Sequence, residues 1–213
     1  MYAFTNLIQQ YSEEPLTRQI ILSLLKEYKR PNDKIAELVK FGYLTSVKKG
    51  LYIPGSKLNI LPPELFLIAN HLWGPSYISL ESALSHWSFI PERVHEISSV
   101  TTKSSKTYKT EVGRFSYRYS SLPYYAMGIK SISLSKKQVV LIASPEKAIC
   151  DKIVMTSGLI LRSSSQAMKF LTEDMRIDED LLSQLNVEEI SSWIKEAPKS
   201  SSLKMLTKTL QNL

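Results

Sequence analysis

Two adjacent lysines, Lys48 and Lys49, precede Gly50 in the run Val47-Lys48-Lys49-Gly50-Leu51-Tyr52-Ile53. Ammonium groups at a tight turn between apolar flanks suit one chemistry above others, which is contact with phosphate oxygens. Upstream, Arg30 stands just before Pro31 and Asn32, Lys34 and Lys40 follow it, and an asparagine amide can read a base edge. From Lys26 to Lys57 eight basic side chains face three acidic ones, and from Val100 to Ser120 five basic residues, Lys103, Lys106, Lys109, Arg114 and Arg118, face only Glu111. The whole chain carries 27 basic and 20 acidic residues, a net charge of +7, so these two windows exceed the overall excess and the remainder is slightly acidic. Such placement favours a polyanionic partner.

Other chemistries find less material. A hydrolase needs a nucleophile, an oriented base and a place for developing negative charge, and no local motif supplies them. His71, His86 and His95 lie among Trp73, Trp87 and Phe89, where packing or surface placement accounts for them. Cys150 falls on the apolar side of a predicted helix with Ile153 and Val154, which reads as a small buried hydrophobe. Glu146, Lys147 and Asp151 form too generic a group for a metal nuclease, because the preceding Val139-Val140-Leu141-Ile142-Ala143 carries no carboxylate. The acidic run Glu173, Asp174, Asp178, Glu179 and Asp180 reads as a solvated turn, and the glycines form no phosphate loop. The expectation is no catalytic residue, no metal, no cofactor and no enzyme.

The elements that must carry the cations follow from periodicity. Leu7, Ile8 and Tyr11 give a first helix, and Thr17 caps a second whose stripe is Ile20, Ile21, Leu24, Leu25 and Tyr28. Pro31 suits the first turn of a third helix with Ile35, Leu38 and Val39 inward, and Gly42 ends it. Tyr43 to Val47 then reads extended, and Gly50 supplies a hairpin turn. In that order the elements predict a winged helix-turn-helix over residues 1–56, the second and third helices packing through Ile20/Leu24 and Ile35/Leu38. One side of the third helix is then free for a major groove, and Lys48 and Lys49 stand beside it on the hairpin tip. The candidate DNA-binding residues are Arg30, Asn32, Lys34, Lys40, Lys48 and Lys49.

Residues 57–213 read as a mixed α/β domain. Pro62-Pro63 opens a helix to Leu72, and Ser79 caps another from Leu80 to Trp87. Ile97 to Thr102 and Phe115 to Tyr119 read as strands, the second sending Phe115, Tyr117 and Tyr119 to one face. The basic stretch between them reads as a hairpin end or an extended arm. Val139 to Ala143 is the most buried-looking strand, and Ser144-Pro145-Glu146 starts the following helix with a capping hydroxyl and an early carboxylate. A mainly helical tail follows, with Ser200-Ser201-Ser202 as a hinge before its last helix. The fold class is α+β.

At 213 residues, 43% hydrophobic and 22% charged, the chain can bury a sizeable core, which excludes a disordered or fibrous protein. No apolar run approaches the 18 or so residues of a membrane span, and the opening shows no basic leader, so a cytoplasmic location is expected.

Three stretches resemble the AbiEi family of type IV antitoxins, predicted transcriptional regulators of phage-defence systems. They are Lys34 to Leu44 with Lys48-Lys49-Gly50-Leu51-Tyr52-Ile53; Tyr77 to Leu84 with Ile90-Pro91-Glu92-Arg93-Val94 and the basic run to Tyr117; and Ala143-Ser144-Pro145-Glu146-Lys147-Ala148-Ile149-Cys150-Asp151. The resemblance spans residues 15–155 and implies a DNA-binding repressor of its own operon. It also implies a C-terminal domain that counters a nucleotidyltransferase-like toxin without a stable complex. The alternatives are a stand-alone winged-helix regulator and, third, a metal-dependent DNA-processing enzyme.

Overall fold

In the computed structural model, residues 2–92 and 94–213 are described; Arg93, one of the residues carrying the resemblance, lies outside them. The chain is a mixed α+β fold. Its first part contains α1 (Tyr2–Gln9), the short strand β1 (Leu16–Thr17), α2 (Arg18–Leu24), α3 (Pro31–Lys40), β2 (Leu44–Lys48) and β3 (Leu51–Pro54). The hydroxyl of Thr17 accepts from the Ile20 N–H and caps α2, and Pro31 occupies the first turn of α3. Gly42 and Gly50 take φ of 75° and 88°, the left-handed values that end α3 and turn the hairpin. β1 adds a third strand beside β3, with Leu16 opposite Tyr52. A strand of two residues is too short to leave an alternation in the sequence.

The helix pairing differs from expectation by one position. Ile21 and Leu25 are the fully buried residues of the second helix region and face Ile35 and Leu38, while Ile20 and Leu24 pack only at the edge of that core. Tyr28 is 37% exposed instead of inward. This small core also takes Phe4, Ile8, Leu16, Leu44 and, beyond residue 56, Leu58. The hairpin meanwhile sends Val47, Leu51 and Ile53 into a second, much larger core.

That larger core is built on a six-stranded sheet in the order β6-β7-β5-β4-β9-β8. The strands are β4 (Ser76–Ile78), β5 (Glu96–Thr101), β6 (Lys106–Thr110), β7 (Gly113–Tyr119), β8 (Ile129–Ser133) and β9 (Val139–Ala143). The pairs β5/β7 and β4/β9 are parallel and the others antiparallel. The basic stretch is thus an edge strand, β6, paired from Lys106 opposite Tyr117 to Thr110 opposite Gly113. β9 alternates: Val140 and Ile142 are buried, but Val139 and Leu141 are 55% and 44% exposed. Tyr119 shares the face of Phe115 and Tyr117 but is exposed at the end of β7.

Helices cover the sheet from two sides. α4 (Leu65–Leu72) lies on the face bearing Phe115 and Tyr117, where the Tyr117 hydroxyl donates to the Ala69 carbonyl at 2.7 Å. α5 (Leu80–His86) and α6 (Pro145–Met155) lie on the other. Ser79 stands at the N-cap of α5 but makes no side-chain cap, because its hydroxyl is turned to Asp151. Ser98 of β5 does that work instead, its Oγ accepting from Ser82 N at 3.3 Å and lying 3.0 Å from the Ser79 carbonyl. The tail contributes α7 (Ser164–Lys169), a π-helical turn over Phe170–Asp174, α8 (Glu179–Leu182), α9 (Val187–Trp193) and α10 (Ser200–Leu210). The predicted serine hinge is the first turn of α10, where the buried Ser202 hydroxyl accepts from Leu161 N at 3.2 Å.

Candidate nucleic-acid interface

α3 presents Asn32, Ala36, Val39 and Lys40 to a groove of about 480 Å³ whose opposite wall is Ser46, Lys49 and Tyr52 of the hairpin. Its apolar stripe is committed to the core by Ile35 and Leu38, which leaves the next face for this groove. Arg18, the first residue of α2, closes one end, and its guanidinium donates to the Asn32 carbonyl oxygen at 2.7 Å. The Asn32 amide NH2 and the remaining guanidinium N–H groups are thereby aimed but not consumed. Lys40 sits in the last turn of α3, where the helix dipole favours a cation. No carboxylate lines the groove among the described residues.

The predicted cations separate into groups. Lys40 and Lys49 reach the groove with Asn32. Arg30 is highly exposed and lies 3.9 Å from Asp33. Lys34 is largely covered: its ammonium pairs with Glu37 at 2.7 Å and lies 5.5 Å from the Tyr28 ring centre. Lys48 leaves Lys49 and the groove altogether. Its ammonium donates to the Leu72 carbonyl at the end of α4, and burial, with Lys103 and Lys106 nearby, holds it below the ordinary lysine range. Arg18 was missed, although its place directly after the capping Thr17, at the start of the second helix, was visible.

The second basic window is not one patch. Alternation along β6 and β7 puts Lys106 on the side of Tyr108 and Tyr117, and Lys109, opposite Arg114, on the reverse side. Lys103 and Lys106 both lie over the Trp73 ring, at 5.0 and 4.7 Å. Arg114 pairs with Glu96 at 3.3 Å. Arg118 opens into a cavity of about 1010 Å³ in which Glu81, Glu92, Glu96 and Asp174 outnumber Arg118 and Lys152, a poor setting for a polyanion.

Behind these surfaces lies a sealed charge pair. Lys147 and Asp151 of α6 meet at 3.0 Å with no solvent exposure. Asp151 accepts from the Tyr77 and Ser79 hydroxyls at 2.9 and 2.7 Å, and Lys147 donates to the Tyr124 carbonyl at 2.9 Å. Burial lowers the Lys147 pKa against the pull of Asp151, and raises Tyr77 and Tyr124 well above the ordinary phenol range. Cys150 is buried beside them, its thiol pushed up by desolvation. Groups so enclosed tie α6 to the sheet through Tyr77 and to the 3-10 turn at Tyr124. Among the described residues no three His, Cys, Asp or Glu side chains gather as a metal site requires, and no helix is long and apolar enough to cross a membrane.

No protein-family model matches the chain, and no curated protein matches it.

Proposed function

We propose that the chain is a winged helix-turn-helix DNA-binding protein that represses its own operon and acts as the antitoxin of a type IV toxin–antitoxin pair. The observation that carries the DNA reading is the acid-free groove between α3 and the hairpin, lined by Arg18, Asn32, Lys40 and Lys49. In this reading α3 is the recognition helix: Asn32 meets base edges while Lys40, Lys49 and Arg18 meet phosphate or base. The antitoxin half rests on the resemblance to the AbiEi family, which implies a nucleotidyltransferase-like toxin opposed without a stable complex.

Anisotropy titrations of the duplex upstream of its own gene, and of a scrambled duplex, at several salt concentrations test the first half. Affinity should fall linearly on a log–log plot as salt rises, since each neutralised phosphate releases counterions. Absence of binding to both duplexes at low salt overturns it. Growth during expression of a neighbouring nucleotidyltransferase-like gene tests the second half, and intact operator binding without rescue leaves a stand-alone regulator.

A further inference from the structure

We propose that Lys48, Lys103 and Lys106 form a binding site for a phosphate group, seated over the indole of Trp73 where the hairpin meets the six-stranded sheet. The three ammonium groups lie 5.8, 5.0 and 4.7 Å from the centre of that one ring, and Lys48 and Lys106 also lie 5.9 and 4.8 Å from the Tyr108 ring. None of the three is in an ion pair among the described residues. Cations gathered this closely repel one another, and the lowered pKa of Lys48 reflects it after burial. An oxyanion removes that repulsion and accepts charge-assisted hydrogen bonds from all three.

The platform is fixed before any ligand arrives. Trp73 donates its indole N–H to the Ser104 carbonyl at 3.1 Å, which anchors the ring to the segment carrying Lys103 and Lys106. Tyr108 stands edge-on to the buried Tyr117 at 6.0 Å. Lys48 is held by the Leu72 carbonyl, so little side-chain freedom remains to be lost there. The pieces come from three places: Lys48 from β2, Trp73 from the end of α4, and Lys103 and Lys106 from the approach to β6 and its first residue. A bound anion therefore clasps the hairpin to the sheet.

Phosphate oxygens can arrive on a free polyphosphate or on nucleic acid. A duplex spreads its charges along two strands. A pyrophosphate or nucleoside polyphosphate concentrates them at one point, as the three ammonium groups are concentrated around one ring, none farther than 5.8 Å from its centre, so the geometry points to the free ligand. The site stands whether or not the α3 groove reads DNA.

Calorimetric titration of the full chain at constant ionic strength with pyrophosphate, and separately with a short duplex, tests this. Pyrophosphate should bind one-to-one, and Lys103→Gln with Lys106→Gln should weaken it by about tenfold or more. Lys109→Gln with Arg118→Gln, the same charge change on the other face of the sheet, should leave it within about twofold, as expected of screened surface charges. No saturable pyrophosphate binding, or equal losses in the two double variants, overturns the site. Loss of duplex affinity in Lys103→Gln/Lys106→Gln without pyrophosphate binding to the intact chain also overturns it and assigns these lysines to nucleic acid.

Discussion

The ammonium of Lys147 lies 3.0 Å from the carboxylate of Asp151, one helical turn along α6, with neither side chain exposed. A buried face of α6 thus holds a charge pair, with Tyr77 and Ser79 donating to Asp151 and the Tyr124 carbonyl accepting from Lys147. Removing one partner strands the other. Asp151→Ala should cost about 3–5 kcal/mol, whereas Lys147→Met with Asp151→Leu should recover most of that loss. Urea unfolding of the two variants beside the intact protein measures both, and a double variant no more stable than Asp151→Ala would contradict the coupling.

The hairpin lysines should behave differently from each other. Lys49→Ala is expected to weaken specific and scrambled duplex alike and to lower the salt slope by about 1. Lys48→Ala should leave both nearly unchanged, because its ammonium is turned away from the α3 groove to the Leu72 carbonyl. Equal effects of the two substitutions in parallel anisotropy curves would place Lys48 on the DNA face.

Asn32 and Arg18 should act as a pair. Asn32→Ala should cost roughly 1–3 kcal/mol of operator binding and relax specificity, with scrambled duplex little affected. Arg18→Lys should reproduce part of that loss of specificity, since a lysine cannot hold the Asn32 oxygen and keep a planar fork for DNA. A discrimination ratio unmoved by Asn32→Ala argues against base contact.

Acid should loosen the contact between Glu13 and the turn joining β8 to β9. Glu13 accepts from Ser135 and Gln138, and these hydrogen bonds, ahead of nearby Lys137, hold its pKa below the ordinary 4.5. A depressed carboxyl pKa stabilises the folded state above the unfolded value and loses that effect as pH falls through the folded one. Hydrogen exchange around residues 134–138 should therefore speed up below about pH 4.5, while Glu13→Gln should show the faster exchange already at neutral pH and little further change on acidification.

Ser98→Ala should destabilise by about 1–3 kcal/mol, because the Ser82 N–H and the Ser79 carbonyl lose their buried partner at the start of α5. Thermal unfolding reads this directly. Ser79→Ala tests the assignment from the other side, since its hydroxyl serves Asp151 and not the helix end.

Much of the architecture was legible because local signals agreed with tertiary need. Thr17, Pro31 and Gly42 bound α2 and α3 at the residues where capping chemistry places them, and Ser144 caps α6 through Lys147 N. What escaped was decided across the chain. Periodicity cannot choose between Ile20/Leu24 and Ile21/Leu25 when all four positions are apolar, and only packing against Ile35 and Leu38 settles it. The basic window from Lys103 to Arg118 looked single because charge was counted along the chain, whereas the pleat deals alternate residues to opposite faces. Arg18 enters the groove through a contact with a residue 14 positions away, and Lys48 leaves it for a carbonyl 24 positions away. Neither separation leaves a mark in sequence spacing.

The hairpin is a party wall. Leu44 belongs to the small core and Val47, Leu51 and Ile53 to the large one, with a register shift between Ser46 and Lys48 where the strand changes allegiance. Cutting the chain after residue 56 would bare the three apolar side chains on the far side of that wall, so the amino-terminal part is not a portable module. Heat should melt both cores in one transition, and a substitution deep in the sheet, far from any cation, should reach the α3 groove by tilting the wall it shares.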